Sequence, residues 1–120
     1  MRFSATQRLR LSREIRTVRE QGRRMETGAF TLWWLVRDSA ESSSKADARV
    51  CVIASTAAVG GAVRRARAKR RMRELFRRNQ TLVPKGLDLL MIARRDILRL
   101  TWPELEKRFS EACRKLPSHV

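Results

Sequence analysis

The sequence is poor in the groups that protein catalysts use most. It holds one histidine, His119. A single histidine cannot form a general acid and base pair with a second histidine. The two cysteines, Cys51 and Cys113, stand far apart and outside any Cys-x-x-Cys spacing, so neither a metal cluster nor a redox motif is expected. They are expected to be reduced, partly buried thiols of a cytoplasmic protein. Acids are also scarce, 12 against 28 Lys and Arg. Asp88, Asp96, Glu104 and Glu106 form no recognisable metal motif and read as salt-bridge or helix-start residues. Long apolar runs are missing too. Residues 29–36 and 87–93 are the longest, and both are too short to span a bilayer, so no membrane partner is expected. Residues 1–24 lack the apolar segment of a secretory signal, and Glu14 and Glu20 speak against an Arg-rich transit peptide.

What the sequence has in excess is positive charge. The formal net charge is +16 over 120 residues, with 23 arginines and five lysines. Such a charge opposes compaction and points to a polyanionic partner. Arginine's planar guanidinium forks onto phosphate and stacks on bases, so the bias favours nucleic acid. Hydrophobic residues make up 42%, too many for a disordered basic tail. The charge is concentrated: residues 1–24 carry eight cations and two acids, and residues 60–79 carry nine cations and one acid. A surface built for solubility would mix the signs more evenly.

The chain reads as a single domain, 1–120. Residues 12–21 predict a first helix, with Ser12 as N-cap, Gly22 as the stop, and an apolar stripe of Leu11, Ile15 and Val18. Residues 29–37 predict a strand with Phe30, Leu32 and Trp34 on one face and Thr31, Trp33 and Leu35 on the other. The polar stretch 39–48 predicts a flexible hairpin connection. Residues 49–55 predict a second strand that a bulge or break would divide into two. Residues 60–79 predict the central helix. On it Ala68, Met72, Leu75 and Phe76 share one arc, Arg64, Arg67, Arg71 and Arg78 line one flank, and Lys69, Arg70, Arg73 and Arg77 line the other. Arg65 lies at the border of the apolar arc. Residues 87–93 predict a buried strand. Thr101, Trp102 and Pro103 open a last helix that runs to about Lys115 and buries Leu105, Phe109, Ala112 and Leu116. The order α-β-β-(β)-α-β-α implies an α/β two-layer sandwich (α+β) with about four strands in one mixed sheet and a basic central helix.

The run Gly60 to Phe76, with Gly60, Ala62, Val63, Arg65, Arg67, Lys69, Arg70, Arg73 and Phe76 in place, resembles the signature of the bacterial ribonuclease P protein component. The opening Arg8-Leu9-Arg10 with Gly22-Arg23-Arg24, the stretch Gly86–Arg94 and the helix 102–116 resemble the same family in the same order. The chain departs from the family at Gly61 and Ala66, where asparagines are expected. Two lysines expected before the glycine give way to Thr56-Ala57-Ala58, and aromatic residues of the first helix give way to Ile15 and Arg19.

The resemblance implies a subunit of an endoribonuclease that removes the 5′ leader of precursor tRNA in the cytoplasm. It implies ribonuclease P RNA and precursor tRNA as partners, with no obligate protein partner. The chemistry and its Mg2+ would lie on the RNA, and no catalytic residue, metal or cofactor would lie on the protein. Arg64, Arg65, Arg67, Lys69, Arg70, Arg73 and Arg77 would meet RNA phosphates. A cleft between the first helix and the sheet would take the leader, with Arg8, Arg10, Ile15, Val18, Trp33 and Arg94 as its lining. Trp33 would either stack on a base, worth about 1–3 kcal/mol, or serve as an ordinary core aromatic. Other readings are a small ribosomal-type structural RNA-binding protein, a DNA binder with Arg64–Arg78 in a major groove, and a stand-alone nuclease. The helix has almost no Asn or Gln for reading bases, which disfavours the DNA binder, and the missing acid–base and metal groups disfavour the nuclease.

Overall fold

A computed structural model describes residues 12–36 and 48–117. Its elements are α1 (Ser12–Gln21), β1 (Arg23–Glu26), β2 (Phe30–Val36), β3 (Arg49–Ile53), α2 (Thr56–Val59), α3 (Ala62–Arg78), β4 (Leu87–Ala93) and α4 (Trp102–Arg114). Short 3-10 turns at Gln80–Leu82 and Arg95–Leu98 flank β4. The four strands form one mixed sheet in the order β1-β2-β4-β3, the α+β arrangement expected. No helix among the described residues is long and apolar enough to cross a membrane.

Two expectations are corrected. The stretch 39–48 does not join a hairpin, because β2 and β3 do not pair. β4 lies between them, antiparallel to β2 and parallel to β3 (residues 37–47 themselves fall outside the described residues). The reason is the composition of Leu87–Ala93. Every residue of β4 except Ile92 is buried, and a strand apolar on both faces belongs in the centre of a sheet. Nor is the stretch after Arg49 divided in two. β3 is continuous, and the additional strand is Arg23–Glu26, which pairs with β2 at the sheet edge. Its sequence, RRME, offers one apolar side chain, so no alternation betrays it.

Cross-strand register sorts the side chains onto two faces. Met25, Leu32, Met91 and Val52 form one row of the core face. α3 and α4 cover that face with Ala68, Met72, Leu75, Phe76, Leu105 and Phe109. Phe30 meets Phe109 with ring centroids 6.1 Å apart and tilted by 54°, which ties β2 to α4. α4 starts on a capping box: the Thr101 hydroxyl accepts from the Glu104 amide, and the Glu104 carboxylate accepts from the Thr101 amide at 3.1 Å. At the other end of the sheet, Arg49 grips buried Asp88 with two hydrogen bonds of 2.9 and 2.8 Å.

α1 packs on the opposite face. Gly22 makes the junction between α1 and β1 possible. Its amide donates to Val18 O at 2.8 Å. A Cβ there would lie 2.3 Å from Val18 O and 2.5 Å from Trp34 O, both backbone atoms. Only glycine allows the helix end and β2 to approach this closely.

Candidate nucleic-acid interface

The α1-facing side of the sheet carries a second, smaller apolar cluster. Val18 and Leu90 are fully buried in it, and half-buried Ile15, Trp33, Leu35, Cys51, Ile53 and Ile92 surround them. One cross-strand row runs from Arg24 through Trp33 and Leu90 to Cys51. A second runs from Thr31 through Ile92 to Ile53. α1 packs against β2 and β4 on this face, and the six side chains around Val18 and Leu90 stay only partly buried along the cleft expected between α1 and the sheet. Basic groups stand at its margins. Arg94 is exposed, and its guanidinium donates to the Thr31 hydroxyl at 2.8 Å. Lys69 and Arg73 of α3 bear electrostatically on Cys51 at the β3 side. Arg19 and Arg24 hold their guanidiniums over the Trp33 ring, 6.0 and 5.7 Å from its centroid.

Of the expected cleft residues, Ile15, Trp33 and Arg94 therefore share one face. Val18 shares it too, but as the fully buried foot of α1 rather than as lining. Arg8 and Arg10 lie outside the described residues. Phe30 and Trp34 belong to the opposite, core face, as their parity in the strand requires.

α3 supplies the second basic surface. Ala68, Met72, Leu75 and Phe76 are buried against the sheet as the helical arc predicts. The cations then divide by what they touch. Arg71 donates to Leu100 O at 3.0 Å and lies over Trp102 at 5.9 Å; burial, with Arg67 nearby, lowers its pKa. Arg78 lies over Trp102 at 5.3 Å and pairs with Glu106 at 3.2 Å. These two cations fasten α3 to α4. Arg77 bonds Glu74 at 2.7 and 2.5 Å, and that hydrogen bonding holds the Glu74 carboxyl below the usual carboxylate range. Arg64 donates to Val59 O across the Gly60 turn. Arg65 is half-buried at the helix border, and its Nε has no hydrogen-bond partner among the described residues. Arg67, Lys69, Arg70 and Arg73 have no acidic partner among the described residues. Arg67, Arg70 and Arg73 are exposed and Lys69 is half-buried. Val63, 81% exposed, adds an apolar side chain at the start of the same surface.

Sequence reasoning missed Arg19 and Arg24 as partners of Trp33, and Arg71, Arg78 and Trp102 as the seam between α3 and α4. Arg19 follows Ile15 by one helical turn, which was a legible signal. Arg24 lies on the strand that composition concealed.

Chemically, both surfaces suit phosphate binding. Among the described residues no three His, Cys, Asp or Glu side chains converge so as to hold a metal ion. The thiols differ in reach. Burial pushes Cys113 up to about 12. It also raises Cys51, while Lys69 and Arg73 pull the other way. Since thiolate is the reactive form, a maleimide at pH 8 is expected to label Cys51 well before Cys113. RNA seated in the cleft should slow the labelling of Cys51. Peptide mass mapping of labelled protein, with and without RNA, checks this; equal labelling of both thiols would contradict the described packing.

Residues 3–117 match the family model described as Ribonuclease P. The chain is 33% identical over 108 residues to the ribonuclease P protein component of Finegoldia magna, covering 90% of this chain and 88% of that protein. It is 32% identical over 95 residues to that of Thermotoga maritima, covering 79% and 75%. In structure it resembles the Thermotoga maritima RNase P protein, with a TM-score of 0.76, 24% identity and coverage of 92% and 98%. It also resembles the Staphylococcus aureus RNase P protein, with a TM-score of 0.71, 18% identity and coverage of 90% and 93%.

Proposed function

Because the chain belongs to the ribonuclease P protein family, we propose a division of labour between its two basic surfaces. It is the protein component of an endoribonuclease and associates with ribonuclease P RNA. α3 meets that RNA. Arg67, Lys69, Arg70 and Arg73 neutralise phosphates and release counterions, with Arg64 and Arg65 at the helix start and Arg77 at its end. Contacts of this kind set register and orientation without reading bases. The cleft between α1 and the sheet takes the single-stranded 5′ leader of precursor tRNA, with Ile15, Trp33 and Arg94 along its path. Hydrolysis and its Mg2+ reside on the RNA, and the protein contributes binding in the cytoplasm.

The observation that carries this reading is the contrast within α3. Arg71 and Arg78 are fastened across to Leu100, Trp102 and Glu106, whereas four neighbouring cations have no acidic partner among the described residues. Unpaired like charges along one helix are unfavourable for the isolated protein, and an RNA partner relieves them.

The test is leader removal from a precursor tRNA by the cognate ribonuclease P RNA at physiological Mg2+, with and without this protein. Stimulation is expected, with no cleavage by the protein alone. Its affinity advantage for precursor over mature tRNA should grow with leader length over the first few nucleotides. Tight RNA binding without stimulation would favour a ribosomal-type structural role instead.

A further inference from the structure

Trp33 is the one aromatic ring among the described residues of the cleft, and its surroundings do not leave it a bare platform. Arg19 reaches it from α1 and Arg24 from the neighbouring strand, both within the range of cation–π attraction. Arg24 is its direct cross-strand neighbour. Both arginines are exposed. Neither forms an ion pair or a side-chain hydrogen bond among the described residues, although Glu20 and Glu26 are close in sequence. Their donors are therefore available while their planes are steadied by the indole. A guanidinium with fixed orientation and free donors is suited to phosphate oxygens, which it can bind through two parallel hydrogen bonds.

We propose that Arg19 and Arg24, held by Trp33, form a phosphate-gripping fork at the β1 edge of the cleft, so that single-stranded RNA there is held by its backbone rather than by bases stacked on Trp33. Trp33 is then a positioning residue. The proposal rests on the cleft being the leader site and adds how the leader is held. It also gives the backbone a route. The row Arg24-Trp33-Leu90-Cys51 crosses three strand spacings, about 14 Å. It has the fork at one end, while Lys69 and Arg73 bear on the Cys51 thiol at the other. A leader crossing the apolar floor from the fork would run toward the α3 surface on which the ribonuclease P RNA sits. Recognition of this kind is indifferent to leader sequence.

The test compares three precursor tRNAs bound by the protein assembled on its ribonuclease P RNA. One has a natural leader, one has abasic riboses in the leader, and one has neutral methylphosphonate linkages there. The wild-type complex is expected to bind the abasic leader within about twofold of the natural one and the methylphosphonate leader about tenfold more weakly. The double variant Arg19→Gln, Arg24→Gln should lose that discrimination. Its salt dependence for precursor should be flatter by about 1.4 in log–log slope, the value for two single-strand phosphate contacts. Its affinity for mature tRNA should be unchanged. A large drop in affinity for the abasic leader with tolerance of methylphosphonate would overturn the fork and make Trp33 a stacking platform. A double variant that still discriminates against methylphosphonate would overturn it as well. If wild-type affinity were the same with and without any leader, the reading of the cleft itself would fall, and the fork with it.

Discussion

Replacing Arg67, Lys69, Arg70 and Arg73 together by glutamine is expected to weaken binding to ribonuclease P RNA on the order of a hundredfold or more at 0.15 M salt. The slope of log affinity against log salt should fall by roughly 3–4, since each phosphate that is no longer neutralised lowers it by about 0.7–0.9. The reason for choosing these four is that they do little for the fold. None has an acidic partner among the described residues, and none lies in the buried arc of α3. Lys69 and Arg73 are four residues apart and repel across one turn, as do Arg67 and Arg70 at three. Their removal should leave Tm unchanged or slightly raised. Weaker binding with undiminished stability is the signature of a binding surface. A fall in Tm of several degrees would show that these side chains hold the fold instead. Substituting Arg71 should do the reverse, because its bond to Leu100 O fastens α3 to the start of α4. Salt titrations by filter binding and thermal melts by circular dichroism are sufficient to separate the two cases.

The second large effect is expected at Gly22. Gly22→Ala would push a methyl group into two backbone carbonyls, Val18 O and Trp34 O, neither of which can rotate away as a side chain would. α1 or the start of β1 must shift, at a cost of about 2 kcal/mol, which lowers Tm by roughly 8 °C in a domain of this size. The consequence for function is local. α1 sits on Leu90 through Val18, so a shift of the helix end alters the cleft and the Arg19–Trp33 contact, while α3 lies on the other face. Precursor tRNA affinity should fall toward that for mature tRNA, with binding to the ribonuclease P RNA retained. An unchanged Tm and unchanged preference for precursor would show that the junction can yield, and that α1 is not positioned by it.

These two sites differ in how far the sequence announces them. The α3 surface was legible because helical periodicity and charge are both local properties. Once Ala68, Met72, Leu75 and Phe76 are placed inward, the directions of all nine cations of the segment follow from 100° per residue. Likewise Thr101 and Pro103 announced α4, since caps and first-turn prolines act within a few residues. The α1 cleft was legible only in part. Alternation put Trp33 opposite Phe30 and Trp34, and the family resemblance suggested a use for that face, but which strands complete it was not written in any one segment.

Partner class, helices and apolar strands are all readable from the chain, because charge, periodicity and capping are carried by residues near one another in it. Strand order emerges only on packing, since pairing β4 between β2 and β3 depends on which strand must be dry on both faces, a comparison across distant segments. The fold alone also revealed β1, an edge strand whose polar side chains carry no periodic signal. With β1 came Arg24 beside Trp33. The fold also separated the cations of α3 into those fastened to α4 and those left for RNA. Equal charges close in sequence acquire different roles when packing gives some of them a carbonyl, an indole or a carboxylate and leaves the others to solvent.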